Sequence, residues 1–75
     1  MNWQDYIEVK PEVALGKPVF KGTRLTVEFV LERLGEGATV EDLVANYVGL
    51  TAERIRAATA YAAAVLRRDE LVHST

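Results

Sequence analysis

Seventy-five residues form a single domain, and a chain of that length buries only about 60% of its unfolded surface, so its stability margin is thin. With no cysteine and a single histidine, His73, neither disulfides nor a thiolate-bound zinc can staple it, and self-association or docking on a larger partner is the remaining route, in keeping with the 49% hydrophobic content. A net charge of −2 argues against a general polyanion binder, and the longest near-apolar run, 57–66, is far below the ~20 residues that span a bilayer, so no membrane span is expected.

The first residues, Met1 to Asp5, show no basic segment followed by an apolar core, so no signal peptide is read there and the cytoplasm is the expected compartment. Tyr6-Ile7-Glu8-Val9 and Pro18-Val19-Phe20 read as short strands on either side of Pro11 and Gly16. Gly16 to Leu25 packs two glycines, a proline and the cations Lys17, Lys21 and Arg24 into ten residues, which predicts a turn-rich basic hairpin with Gly22 at positive φ.

From Thr26 the periodicity turns helical. Thr26 is an N-cap, Val27, Val30, Leu31 and Leu34 share one face, Phe29 falls on the opposite face, and Gly35 and Gly37 are stop signals. Thr39 caps a short second helix with Glu41 and Asp42 in its first turn and Val40, Leu43, Val44 and Tyr47 as its apolar stripe. After Val48-Gly49-Leu50, Thr51 caps a third helix whose inward stripe is read as Ile55, Ala58, Thr59, Ala62, Val65 and Leu66.

A short helix joined by a tight glycine-containing turn to a longer one is the helix-turn-helix pattern. The fold expected is therefore α+β, one domain over 1–75. A strand or hairpin arm (1–25) precedes a three-helix, winged-helix or homeodomain-like unit (26–70), and a frayed tail (71–75) follows.

Catalysis finds little support. The only serine, Ser74, sits beside the only histidine in the tail, and the adjacent carboxylates Glu41/Asp42 and Asp69/Glu70 point about 100° apart on a helix wheel. Gly16 and Gly22 have five residues between them, with Lys21 before the second glycine and Pro18 lacking an N–H, so no phosphate-binding loop is formed. Neither a cofactor nor a metal is expected.

Three surfaces remain as candidates. In a helix-turn-helix, Thr51, Arg54 and Arg56 would face the major groove, opposed by Glu53, Glu41 and Asp42. Lys17, Lys21, Gly22, Thr23 and Arg24 form a candidate contact motif, in which Arg24 is expected mainly to tie the hairpin to helix ends or carboxylates. Ala57, Ala60, Tyr61 and Ala64, on the side of helix three opposite its stripe, together with outward Phe29, make a candidate dimer interface.

The ordered signals Gly16-Lys17-Pro18-Val19, Lys21-Gly22-Thr23-Arg24, Val40-Glu41-Asp42-Leu43, Tyr47, Gly49-Leu50-Thr51 and Ile55-Arg56-Ala57-Ala58 run through nearly the whole chain. They resemble the domain of unknown function 433 family, mostly bacterial proteins related to antitoxins. The resemblance implies a small self-associating fold with N-terminal strands and a helix-turn-helix, acting as antitoxin to a PIN-like nuclease toxin. Thr26 and Val48 stand where that family often has proline, and Arg54 where an acidic residue is frequent, which adds a cation to the recognition helix.

The expectation is thus a non-enzymatic, cytoplasmic, homodimeric regulator that binds a PIN-like toxin protein, with its own operator DNA as a candidate further ligand. The alternative is a homodimeric interaction module that binds no DNA.

Overall fold

In the computed structural model, which describes the backbone of residues 1–73 and the side chains of residues 1–68, a two-stranded antiparallel hairpin precedes three helices, an α+β fold. A 3-10 turn over Trp3–Asp5 leads into β1 (Ile7–Glu8), which pairs with β2 (Val19–Phe20), Ile7 opposite Phe20 and Glu8 opposite Val19. On the loop side the ladder stops at Glu8–Val19, where the next residue of β2's strand is Pro18, which has no N–H to donate. Pro18 still offers its carbonyl, which accepts from the Val27 N–H and ties the hairpin to the start of the first helix.

The connection between the strands holds a feature with no local sequence signal. Ala14 and Leu15 lie in the left-handed region at φ 50° and 60°, followed by Gly16 at 81°, and the Leu15 side chain is 95% exposed. Left-handed geometry is unfavourable for a residue with a β-carbon, so this turn stores strain.

The helices are α1 (Val27–Gly35), α2 (Val40–Asn46) and α3 (Ala52–His73). Each of the three expected threonine caps is in place, with Oγ1 of Thr26, Thr39 and Thr51 accepting from the N–H of Phe29, Asp42 and Arg54. Asp42 returns the bond to the Thr39 N–H, completing a capping box. The end of α1 is closed by the Gly37 and Ala38 N–H groups, which donate to the Leu34 and Arg33 carbonyls while Gly37 takes φ 101°.

The core sits where the hairpin meets the first turns of all three helices. Phe20, Val19 and Val30 are fully buried, and Val27, Leu43, Leu50 and Ile55 nearly so. Two sequence expectations change here. Ala57, assigned to the outer side of α3, is fully buried beside Ala58, so it is not available to a partner. Phe29, read as outward, is half-buried, with its ring edge-on to Tyr47 at 5.2 Å and the Arg33 guanidinium 5.1 Å from its centroid. The end of α2 therefore covers it within the chain.

The inward stripe of α3 is also rotated from the one expected. Thr59 is exposed, its hydroxyl donating to the Arg56 carbonyl at 2.8 Å, and Val65 and Leu66 lie beyond the core, 37% and 60% exposed. Of α2, only Leu43 is buried and Tyr47 half-buried; Val40 and Val44 are exposed. The α3 backbone continues to His73, past the expected boundary at residue 70, whereas Ser74 and Thr75 of the expected tail lie outside the described residues. No described helix is long and apolar enough to cross a membrane.

Candidate functional site

The turn from Lys21 to Arg24 is a polar surface segment fixed by several hydrogen bonds. The Lys21 N–H donates to the Tyr6 carbonyl and the Phe20 N–H to the Leu25 carbonyl, so the turn is closed at both ends. Inside it, the Thr23 hydroxyl donates to the Phe20 carbonyl at 2.9 Å and accepts from the Leu25 N–H at 3.0 Å. Gly22 takes φ 76°, as expected of it, and its N–H donates to the Glu8 carboxylate at 3.3 Å. Glycine is the residue that reaches this conformation without strain.

Arg54 completes the arrangement from α3. Its Nη1 donates to the Gly49 carbonyl at 2.7 Å and its Nη2 to the Lys21 carbonyl at 2.9 Å. One forked guanidinium thus joins the α2–α3 turn to the hairpin turn, a use of two divergent donors that lysine cannot reproduce. Nη1 and Nη2 of Arg54 each donate to a backbone carbonyl inside the chain, and the Thr51 hydroxyl oxygen is engaged as a cap. Of the three residues expected at a DNA groove, Arg56 alone keeps an exposed side chain with no hydrogen bond or ion pair among the described residues.

The contact motif is split. Lys17 leaves the turn and pairs with Glu28 of α1 at 2.9 Å. That hydrogen bond first, and the carboxylate charge second, raise the Lys17 pKa above its ordinary 10.5. Lys21 and Arg24 remain exposed, and neither side chain is engaged in a hydrogen bond or ion pair among the described residues. Among the described residues Arg24 makes no tie to a helix end or carboxylate; it is Arg54 that fastens the hairpin turn, through the Lys21 and Gly49 carbonyls. Beside the turn lies a shallow depression of about 300 Å³, lined by Glu8, Lys10, Val13, Gly22, Thr23 and Arg24. Lys10 and Glu8 are 3.6 Å apart there.

Of the residues expected at a dimer surface, Ala60, Tyr61 and Ala64 are half-buried. Tyr61 packs edge-on against Trp3 at 4.8 Å, a contact that reading the helix alone does not reveal. No group of three or more His, Cys, Asp or Glu residues that could hold a metal ion occurs among the described residues. What this surface offers chemically is a backbone turn fixed by hydrogen bonds and carrying two cations, Lys21 and Arg24, that have no partner among the described residues.

Such a hairpin, stapled to three capped helices and carrying a Lys-Gly-Thr-Arg turn, defines a small α+β recognition module. The chain belongs to the family described as "Protein of unknown function (DUF433)", which it matches over residues 7–62. It is also similar to a solved structure, the crystal structure of a DUF433 member protein from Anabaena variabilis ATCC 29413, at 38% sequence identity and a TM-score of 0.73. The similarity covers 77% of this chain and 57% of that one, so this chain spans little more than half the length of its structural relative. No curated protein matches the chain.

Proposed function

We propose that the protein is a non-enzymatic cytoplasmic regulator of the antitoxin kind, which presents the turn 21–24 to the acidic centre of a PIN-like nuclease toxin. The observation that carries this reading is the exposure of Lys21 and Arg24, unpaired among the described residues, on a backbone already fixed by hydrogen bonds. A turn ordered beforehand loses little further entropy on docking, and a free guanidinium matches a carboxylate with two parallel bonds. A nuclease that holds its metal ions through carboxylates offers the complementary charge.

Operator binding is the weaker branch of this reading. Arg54 is engaged with backbone carbonyls, Arg56 stands beside exposed Glu53, and the net charge is −2. A lone arginine on an acidic protein supplies little of the phosphate neutralisation that duplex binding draws on. These features favour the interaction module that binds no DNA.

The test is co-purification from the native host with tagged wild type and the Lys21→Ala/Arg24→Ala double variant. A nuclease chain should co-purify with wild type, be released by salt, and be lost from the double variant. Absence of any nuclease, or capture indifferent to both substitutions, refutes the proposal. Fluorescence anisotropy with a duplex from upstream of the reading frame should show no preference over a scrambled duplex; a preference abolished by Arg56→Ala would restore operator recognition.

A further inference from the structure

Leu15 sits at φ 60° between Ala14 at 50° and Gly16 at 81°, and its side chain is 95% exposed. A leucine there carries the steric burden of left-handed geometry and returns almost no packing within the chain. Glycine or asparagine would hold the same turn with less strain. An outlier of this kind, kept where the core gains nothing from it, points to use elsewhere. We propose that Leu15 is an apolar anchor that enters a hydrophobic pocket on the nuclease partner, beside the carboxylates that meet the turn 21–24, resting for the partner's identity on the antitoxin function proposed for that turn.

The backbone around Leu15 is closed by its own hydrogen bonds. The Val13 N–H donates to the Lys10 carbonyl at 3.0 Å, the Gly16 N–H to the Val13 carbonyl at 2.9 Å and the Lys17 N–H to the Ala14 carbonyl at 3.1 Å. Beyond them, Lys17 is pinned to α1 through Glu28, and the Pro18 carbonyl accepts from the Val27 N–H. A side chain presented on a loop already folded loses little backbone entropy on docking.

The anchor and the cations also border one surface. Val13, two residues before Leu15, lines the depression of about 300 Å³ together with Gly22, Thr23 and Arg24. A partner that covers this depression meets the loop on one side and the cationic turn on the other. An apolar side chain that fills a pocket, with polar and charged contacts around it, is the usual anatomy of a protein interface. Both lysines of the connection are paired, Lys10 with Glu8 at 3.6 Å and Lys17 with Glu28 at 2.9 Å, and Glu12 is exposed beside them. The loop therefore has no unpaired cation to offer an anionic lipid headgroup, which favours a protein pocket over a membrane surface.

Biolayer interferometry of the full chain and its variants against the co-purified nuclease, at several salt concentrations, tests the anchor. Leu15→Asn should weaken binding at least about tenfold. The factor should be similar at low and high salt, because apolar burial is not screened, whereas the loss from Lys21→Ala/Arg24→Ala should shrink as salt rises. Leu15→Met, which keeps a long apolar side chain, should bind within about threefold of wild type. The Tm of Leu15→Asn should not fall below that of wild type. Binding that depends on Lys21 and Arg24 but is indifferent to Leu15→Asn overturns the anchor and leaves the antitoxin function standing. Binding that depends on Leu15 alone keeps the anchor and refutes the cationic turn, and absence of any nuclease refutes both. A lowered Tm in Leu15→Asn makes Leu15 a structural residue and overturns the inference. So does a homo-oligomer in sedimentation equilibrium, or attachment to phosphatidylserine vesicles, that Leu15→Asn abolishes while nuclease binding is unchanged.

Discussion

Replacing Arg54 by alanine removes two hydrogen bonds that no other side chain can supply, at 2.7 Å to the Gly49 carbonyl and 2.9 Å to the Lys21 carbonyl. Bonds from a charged donor contribute about 1.5–3 kcal/mol each when well sheltered. Here both carbonyls sit near the surface and can be rehydrated after truncation, so about 1 kcal/mol each is the appropriate figure. The loss should be about 2 kcal/mol, a large part of the roughly 4–11 kcal/mol that a domain of this length possesses. At about 4–8 °C per kcal/mol, the Tm should fall by some 8–16 °C. Thermal melts followed by far-UV circular dichroism, with urea titration for the free energy, measure it directly. Arg54→Lys keeps the charge but not the fork and should recover at most half the loss. An unchanged Tm in Arg54→Ala would refute the staple and return the residue to a surface role.

Gly22→Val should destabilise by about 1–3 kcal/mol from backbone strain alone, since φ is 76° and nothing lies within 4 Å of an added β-carbon; a melting curve identical to wild type would remove the positive-φ requirement. Leu15→Gly should stabilise by about 1 kcal/mol, because the leucine is 95% exposed at φ 60° and loses no packing when removed; a lowered Tm would show that Leu15 contributes something besides strain. Lys17 has its pKa raised above 10.5 in the folded state, so its pairing with Glu28 contributes in full below pH 10.5 and is lost as pH rises through the raised value. Lys17→Met should flatten that alkaline decline in a pH series of urea midpoints, and an unaltered decline would assign it to other groups.

The elements that the sequence makes legible are those written in local chemistry. Thr26, Thr39 and Thr51 cap helices because a hydroxyl three residues before a free N–H needs no information from elsewhere in the chain. Gly22 and Gly37 adopt positive φ for the same kind of reason. The rotation of α3 is another matter. With alanine at 57, 58, 60, 62, 63 and 64, several faces of the helix are equally apolar, and the periodic signal cannot choose among them. The fold chooses Ala57 and Ala58 for the core and turns Thr59 out, where its hydroxyl finds the Arg56 carbonyl. Phe29 is covered by Tyr47, a residue eighteen positions later, and Arg54 reaches a carbonyl 33 positions away. Such pairings exist only once the chain is folded. Within the site, the turn and its cations are legible, but the departure of Lys17 to Glu28 is not, because it depends on where α1 lies against the hairpin.

The edge-to-face contact between Trp3 and Tyr61 turns most of the sequence into a closed ring. Everything between the first 3-10 turn and the middle of α3 is enclosed by it, so a segment inside the ring that comes undone must do so against a closed boundary. Joining points so far apart in sequence is entropically demanding and belongs late in assembly, after the intervening elements have shortened the distance. Once made, the contact favours loss of structure in one step rather than by peeling from an end. As the sole tryptophan, Trp3 also reports the closure optically: energy passed from Tyr61 to the indole at 4.8 Å should vanish when the ring opens. A bulky fusion that displaced Trp3 would uncover the half-buried Tyr61 ring against which the indole packs.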